Sequence, residues 1–218
     1  MTGEKLVYAG TVEALFLRAL ENRLTPACRQ RLADAGLDLE QKLSPTYTLD
    51  QWKQFLRIAA DHVYAGMPAE AAYYSLGERF IDGYFSTLFG RALLGMARLM
   101  GPRRTLTQAR LCFRTSANCS EVRIVERGPT EVEVWLTDIG ADLPTFVAGV
   151  LARTAELTGG QRVVALPEGF DGQSATYHVR WSEQTETAVD AALVPPPSVG
   201  GRAPSPSLRR SCCSRGSA

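Results

Sequence analysis

The sequence lacks the compact motifs by which most catalytic sites are recognised. It contains no glycine-rich phosphate loop, no HExxH zinc motif, no GxSxG nucleophile turn and no CxxC pair. Only two histidines occur, His62 and His178, and they lie far apart in the chain. We therefore predict no catalytic residues, no metal site and a protein that is not an enzyme.

A strong charge of either sign is also missing. The formal net charge is +1, which gives no electrostatic reason to expect a nucleic-acid partner. The last segment differs from the rest, because residues 195–218 hold four arginines and no acidic residue. Without them the chain has 20 basic and 23 acidic residues. We predict one domain over residues 1–186 and a disordered tail, rich in proline and serine, over 187–218.

The sequence has five cysteines, an odd number. Its N-terminus does not show the pattern of a secretory signal, in which an apolar stretch follows a cationic one. These features predict a cytoplasmic protein with free thiols. An enzyme with Cys119 as nucleophile is the least favoured function, because no nearby residue would lower the pKa of that thiol. Cys112 is interpreted as a small, half-buried apolar residue.

Residues 80–100 form the one apolar stretch long enough to cross a bilayer. Asp82, Arg91 and Arg98 fall inside it, and each charge costs at least about 2.5 kcal/mol in hydrocarbon. The segment is therefore predicted to be a buried helix of a water-soluble domain, with no membrane span.

Hydrophobic periodicity predicts an α+β fold, with a helical N-terminal half followed by a roughly four-stranded antiparallel sheet with an inserted helix. Residues 1–105 are assigned to the helical part. Thr48 and Gln51 form a capping box at a helix start, and Gly101-Pro102 is expected to end the helix that covers residues 80–100. Residues 106–186 are assigned to the sheet part, with hairpins over 120–136 and 162–181 and a helix over 144–157 between them.

Four polar residues form a candidate ligand site. Arg103 and Arg104 follow a helix end, and Arg114 and Asn118 belong to the stretch FRTSANCSEV. Guanidinium groups suit carboxylate or phosphate, so convergence of these side chains would make an anion clamp. The alternative, which we favour, is structural: cations stabilise a helix C-terminus, and FRTSANCSEV joins the helical half to the sheet, where Arg114 and Asn118 satisfy backbone groups.

Five segments together resemble a myxobacterial family of paralogues that is a domain of unknown function. The resemblance covers about residues 1–182 and implies a cytoplasmic regulatory protein. FRTSANCSEV departs from the family's Arg-Thr-Gly-Asn-Asn-Tyr run at Ser116, Ala117 and Cys119. The segments are MTGEKLVYAGTVEALFLRAL, LTPACRQRLADAGLDL, LGERFIDGYFSTLFGRALLGMARLMGPRRTL, FRTSANCSEV and FVAGVL.

A second resemblance, in architecture, is to haem nitric oxide/oxygen-binding domains and to vinyl-4-reductase-like ligand-binding domains. FVAGVLARTAEL followed by a hairpin ending in ATYHVRW looks like their C-terminal part. The haem-binding domains hold propionates with a Tyr-x-Ser-x-Arg motif, and here Trp135–Ile139 has lost both the tyrosine and the arginine. Residues 80–100, where a proximal histidine would lie, contain none, so no cofactor is expected, and His62 is a metal ligand only if haem binds.

Two functions fit these observations. The first is a non-catalytic sensory or regulatory module that binds a small apolar ligand or a protein partner, and it could form a homodimer. The alternative is a sensor of haem or another tetrapyrrole, with His62 or a cysteine as axial ligand.

Overall fold

The computed structural model of the chain describes residues 4–118, 121–139 and 143–183. Their architecture is α+β, with helices first and a four-stranded antiparallel sheet last, so the predicted fold class is confirmed. The predicted tail over 187–218 lies outside the described residues. No helix among the described residues is long and apolar enough to cross a membrane.

The helical half begins with a short strand, β1 (Leu6–Tyr8), that pairs antiparallel with β2 (Thr46–Thr48). The capping box predicted at Thr48 is present: its hydroxyl accepts from the Gln51 amide at 3.1 Å, and the Gln51 side chain accepts from the Thr48 amide at 2.9 Å. The helices are α1 (Ala9–Val12), which continues as a π-helix over Glu13–Ala19, then a 3-10 turn (Glu21–Arg23), α2 (Pro26–Asp34), α3 (Leu49–Val63), α4 (Ala69–Ser86), α5 (Leu88–Thr107) and α6 (Ala109–Ser116).

The sheet follows in the strand order β3-β4-β6-β5. Its strands are β3 (Val122–Gly128), β4 (Glu131–Thr137), β5 (Gln161–Glu168) and β6 (Ser174–Ser182), and α7 (Pro144–Leu157) is inserted between β4 and β5. Side chains alternate along β6, as in any strand: Tyr177 and Val179 are fully buried, whereas His178 points to the opposite, polar face. Helix α7 covers the buried face and separates the sheet from α4.

Two details of the helical prediction are wrong. Residues 80–100 are not one buried helix, because α4 ends at Ser86 and α5 starts after Thr87, with Leu88 and Leu99 exposed. The helical part also extends to Ser116 rather than to residue 105, since α6 follows α5. Gly101 interrupts α5 with a φ of 77°, as expected of a Gly-Pro pair, but the chain becomes helical again at once.

Aromatic side chains join the helices into one core. Trp52 of α3 lies edge-on to Phe146 of α7, with ring centroids 6.0 Å apart, and Phe80 of α4 contacts the same ring at 6.0 Å. Phe16 of the π-helix packs on Trp52 at 6.1 Å. The two edge-to-face pairs, Phe16–Trp52 and Trp52–Phe146, each contribute about 0.5–1.5 kcal/mol beyond the area they bury.

Helices α4 and α7 cross with their backbones in close contact. A Cβ atom added at Gly77 would lie 2.0 Å from the Phe146 carbonyl oxygen, and one added at Gly149 would lie 2.1 Å from the Tyr74 carbonyl oxygen. Each helix thus contributes a glycine at the point where the other helix's backbone approaches. A side chain at either position would push the two backbones apart.

We predict that Gly77→Ala lowers the free energy of unfolding by about 1–3 kcal/mol or more, because the added methyl group overpacks the crossing. Chemical denaturation measures this change. Gly95→Ala is the matched control, since no atom lies within 4 Å of the added carbon and Gly95 is exposed on a helix. It should raise stability by about 0.5–1 kcal/mol. Equal effects of the two substitutions would contradict the close crossing.

Candidate functional site

A cavity of about 280 Å³ lies between α4, α5, α6 and α7. It begins where α4 runs past its crossing with α7, and α5 and α6 close its sides. The lining is mostly apolar. The apolar side chains are Phe80, Ile81, Phe85, Phe89, Leu93, Ala97, Met100, Leu106, Ala109, Leu111, Phe113, Val150 and Leu151, and Tyr84, Thr105, Gln108, Cys112, Thr115, Ser116 and Thr154 complete the lining.

The turn between α4 and α5 creates this space. The Thr87 hydroxyl caps α5 by accepting from the Gly90 amide at 2.9 Å and donates to the Tyr84 carbonyl at 2.9 Å. Gly90 is required at this turn because a Cβ atom there would lie 2.1 Å from the Tyr84 carbonyl oxygen. The chain therefore changes direction sharply, and α5 passes beside α4 with a gap between them.

The serine and threonine hydroxyls in the lining are already hydrogen-bonded to backbone carbonyls. Thr105 donates to the Gly101 carbonyl at 2.8 Å, Thr154 to the Val150 carbonyl at 2.7 Å, and Ser116 to the Cys112 carbonyl at 2.9 Å. Thr115 also donates to the Cys112 carbonyl at 2.9 Å. These groups do not need a polar ligand, so the cavity favours an apolar one.

Cys112 is the one thiol among the cavity-lining residues. The surface of Cys112 is accessible and borders the cavity. Many protein atoms nevertheless surround its sulfur, and this partial burial raises the pKa of the thiol. Burial, and then the neighbouring Cys112, also raise the pKa of the Tyr84 phenol. Both groups are therefore neutral near pH 7, and no lining side chain carries a charge.

The residues of the predicted anion clamp lie in different surroundings. The Asn118 side chain accepts from the Leu6 amide at 2.8 Å and donates to the Glu4 carbonyl at 3.0 Å, which ties the end of α6 to β1. Arg103 lies 3.7 Å from Glu126 and shares a surface hollow with Arg104. Arg114 is exposed in the last turn of α6.

FRTSANCSEV therefore lies at the junction of the two halves, but its first residues belong to a helix and not to a strand entrance. Asn118 satisfies backbone groups, as the structural alternative proposes, although they belong to the distant β1. The clamp itself stays a prediction, because its test is anion binding.

Neither histidine lines the cavity. The half-buried His62 has its Nε2 atom 3.4 Å from Nη1 of Arg31, on the surface formed by α2 and α3. His178 lies on the polar face of the sheet, 3.5–3.7 Å from carboxylate oxygens of Glu131, Glu133 and Glu168. Among the residues that the structure describes, no group of three or more histidine, cysteine or acidic side chains could hold a metal ion.

Comparison with known proteins assigns the chain to a family. Residues 5–182 match the family described as "Protein of unknown function (DUF2378)". The chain belongs to this family. The predicted resemblance to a domain of unknown function is thereby confirmed for most of its length. No curated protein matches the chain.

Solved structures with the same fold include H-NOX proteins, as the predicted architectural resemblance proposed. The Fe(II) unliganded H-NOX protein from K. algicida superposes with a TM-score of 0.55 at 14% identity, over 81% of this chain and 96% of that one. An oxygen-binding H-NOX domain related to soluble guanylate cyclases, in its oxygen complex, gives a TM-score of 0.52 at 8% identity, over 80% of this chain and 92% of that one. At these identities the likeness shows the fold alone.

The residues of the DUF2378 chain do not fit haem at the cavity. Haem iron takes histidine, thiolate, methionine or tyrosinate ligands, and both histidines of the sequence lie elsewhere. Cys112 and Tyr84 line the cavity, but their raised pKa values disfavour the anionic forms that would bind iron. Met100 also lines the cavity, but methionine ligates haem iron together with a histidine, and no histidine is present there. No arginine or lysine lines the cavity to pair with propionates.

The raised pKa of Cys112 gives a direct test of the cavity's apolar character. A thiol reacts as the thiolate, so we predict that iodoacetamide alkylates Cys112 more slowly at pH 7 than it alkylates a free cysteine peptide. Its rate should still be rising above about pH 8.5, where the peptide's rate begins to level. Peptide mass spectrometry measures both rates, and Cys112→Ser confirms the assignment. If the Cys112 rate levels at the same pH as the peptide's rate, or at a lower pH, the thiol does not have a raised pKa.

Proposed function

We propose that this protein is a non-catalytic sensory module whose cavity binds a small apolar ligand. The observation that carries the proposal is the lining, in which apolar side chains dominate and the hydroxyls of Thr105, Ser116 and Thr154 are bonded to the protein's own backbone. Binding sites for small molecules are commonly concave and mostly apolar, with a few polar groups that orient the ligand.

The size of the cavity restricts the ligand. Its volume of about 280 Å³ lies just below the roughly 300–1,000 Å³ typical of sites for drug-sized molecules. A compact ligand with a single ring system or a short chain would fill it. The exposed Gln108 contributes an amide group to the lining, with two donor hydrogens and an acceptor oxygen, so it would orient any polar group that the ligand carries.

The position of the cavity supports a sensory role. It is bounded by α5, which is interrupted at Gly101, and by α7, which packs on both α4 and the sheet. A ligand that fills the space would favour one arrangement of α5 and α6 against this scaffold, and coupling of that kind requires different ligand affinities for two arrangements. The H-NOX fold supports the proposal by analogy only.

The second candidate function, a haem sensor, is favoured by the fold and opposed by the donor groups of the cavity. A titration with haemin separates the two, because ligation by protein side chains sharpens and shifts the broad Soret band of free haemin. We expect the band to stay that of free haemin, since no histidine lines the cavity.

The test of apolar binding uses naphthalene as the probe, followed by its fluorescence. Ala97 lines the cavity and is 2% exposed. We predict that Ala97→Phe weakens naphthalene binding by about tenfold or more, because the phenyl ring would occupy the ligand's space. Ala92→Phe is the matched control on the exposed side of the same helix and should bind like the wild type. Thermal unfolding verifies that both variants fold.

An opposite change strengthens this experiment. Leu93→Ala enlarges the cavity, so it should preserve or increase naphthalene affinity while lowering stability by about 0.5–3 kcal/mol, since Leu93 is only partly buried. Failure of the wild type to bind naphthalene, or equal binding by the Ala97 and Ala92 variants, would overturn the proposed function.

A further inference from the structure

The segment that closes the cavity is basic over its whole length. From Gly83 to Asn118 the sequence contains six arginines and no acidic residue. Two of them have partners elsewhere: Arg98 donates to the Leu157 carbonyl at 3.1 Å, and Arg103 lies near Glu126. No described acidic side chain lies in salt-bridge contact with Arg91, Arg104, Arg110 or Arg114, so their charges are available to an anionic partner.

The same segment carries an apolar band on its solvent side. Leu88 is 80% exposed and Leu99 is 91% exposed, and the exposed Ala92 and Met96 lie between them. At 3.6 residues per turn these four side chains fall within about 80° of one another around α5. They form one stripe, which we call the α5 band, and it faces away from the cavity.

Arginines border the α5 band on one side and the cavity opens on the other. By the same helical spacing, Arg91 and Arg98 lie on one edge, and Phe89 lies on the opposite edge. Phe89 is 72% exposed and also lines the cavity, as does the exposed Leu111 of α6. An apolar surface, a cationic border and the mouth of an apolar cavity therefore adjoin one another.

We propose that the α5 band is a docking surface for an anionic lipid bilayer. Protruding leucine and methionine side chains enter the boundary between headgroups and acyl chains, while the arginines lie against the anionic headgroups. A second copy of the chain fits less well, because antiparallel two-fold docking of the bands would place Arg91 and Arg98 against like charges. The docking does not depend on the proposed function, but it places the mouth of the cavity where apolar ligands are concentrated.

The experiment measures co-sedimentation of the full chain with vesicles of phosphatidylcholine, with and without phosphatidylglycerol as about one third of the lipid. We expect binding to the anionic vesicles that weakens as salt is raised, and at least about tenfold weaker binding to the neutral ones. The double variant Leu88→Gln with Leu99→Gln should lose about tenfold or more of the anionic binding without any change in net charge.

The matched control is Val164→Gln with Leu166→Gln, which alters two exposed apolar residues of β5, 51% and 59% exposed, far from α5 in sequence. It should bind vesicles like the wild type, and because the C-terminal arginines are present in every variant, any binding that they cause cancels. Circular dichroism verifies the fold of each variant.

Three results would overturn the proposal: no binding of the wild type to anionic vesicles, equal binding by the two double variants, or a homodimer in sedimentation velocity that the Leu88 and Leu99 changes dissociate. If the wild type does not bind anionic vesicles, an acidic protein partner is the remaining occupant of the α5 band. If the homodimer forms, the occupant is a second copy of the chain. Naphthalene binding is measured separately, so failure of either proposal leaves the other intact.

Discussion

The close crossing of α4 and α7 at Gly77 and Gly149 is the contact on which the rest of the structure depends. It brings the two backbones together where α7 also covers the sheet, so it couples the helical half to the β half. Phe146, whose carbonyl oxygen lies at this crossing, also contacts the rings of Trp52 and Phe80. Because the crossing lies near the middle of α4, the last turns of that helix run beyond it, and the cavity lies there.

Helix α5 is apolar on two sides for two different reasons. Leu93 and Ala97 line the cavity, whereas Leu88 and Leu99 face solvent. A helix that is apolar around much of its circumference is usually buried in a protein core or lies against another apolar phase. In this fold the inner side covers the cavity and the outer side has no covering helix among the described residues, which is why the two proposals meet on one element.

The sequence predicts those parts of the fold that local chemistry determines. The capping box at Thr48, the bounds of α7 and the alternation along β6 each depend on neighbouring residues, and the structure has all three. The regular apolar spacing over residues 80–100 was misleading, because periodicity records that a face is apolar and not whether another element covers it. The break between α4 and α5 does have a local cause, because the Thr87 hydroxyl caps α5 by accepting from the Gly90 amide. The regular apolar spacing on both sides of Thr87 hid this helix start.

The candidate site is harder to predict, since its parts come together only through the tertiary fold. Asn118 hydrogen-bonds to residues near the start of the chain, and no spacing rule links them. The cavity residues of α4, α5, α6 and α7 are ordinary core residues when each helix is considered alone. A cavity is a failure of packing between helices, so no single segment encodes it.

The central claim is that a dry, apolar cavity lies between α4, α5, α6 and α7, and a crystal structure under xenon pressure tests it most directly. Apolar cavities stay free of ordered water and take up xenon, whereas polar ones hold hydrogen-bonded water. The account predicts a xenon atom in contact with Leu93, Cys112 and Val150. A chain of ordered waters in that space, or side chains that fill it completely, would contradict the account.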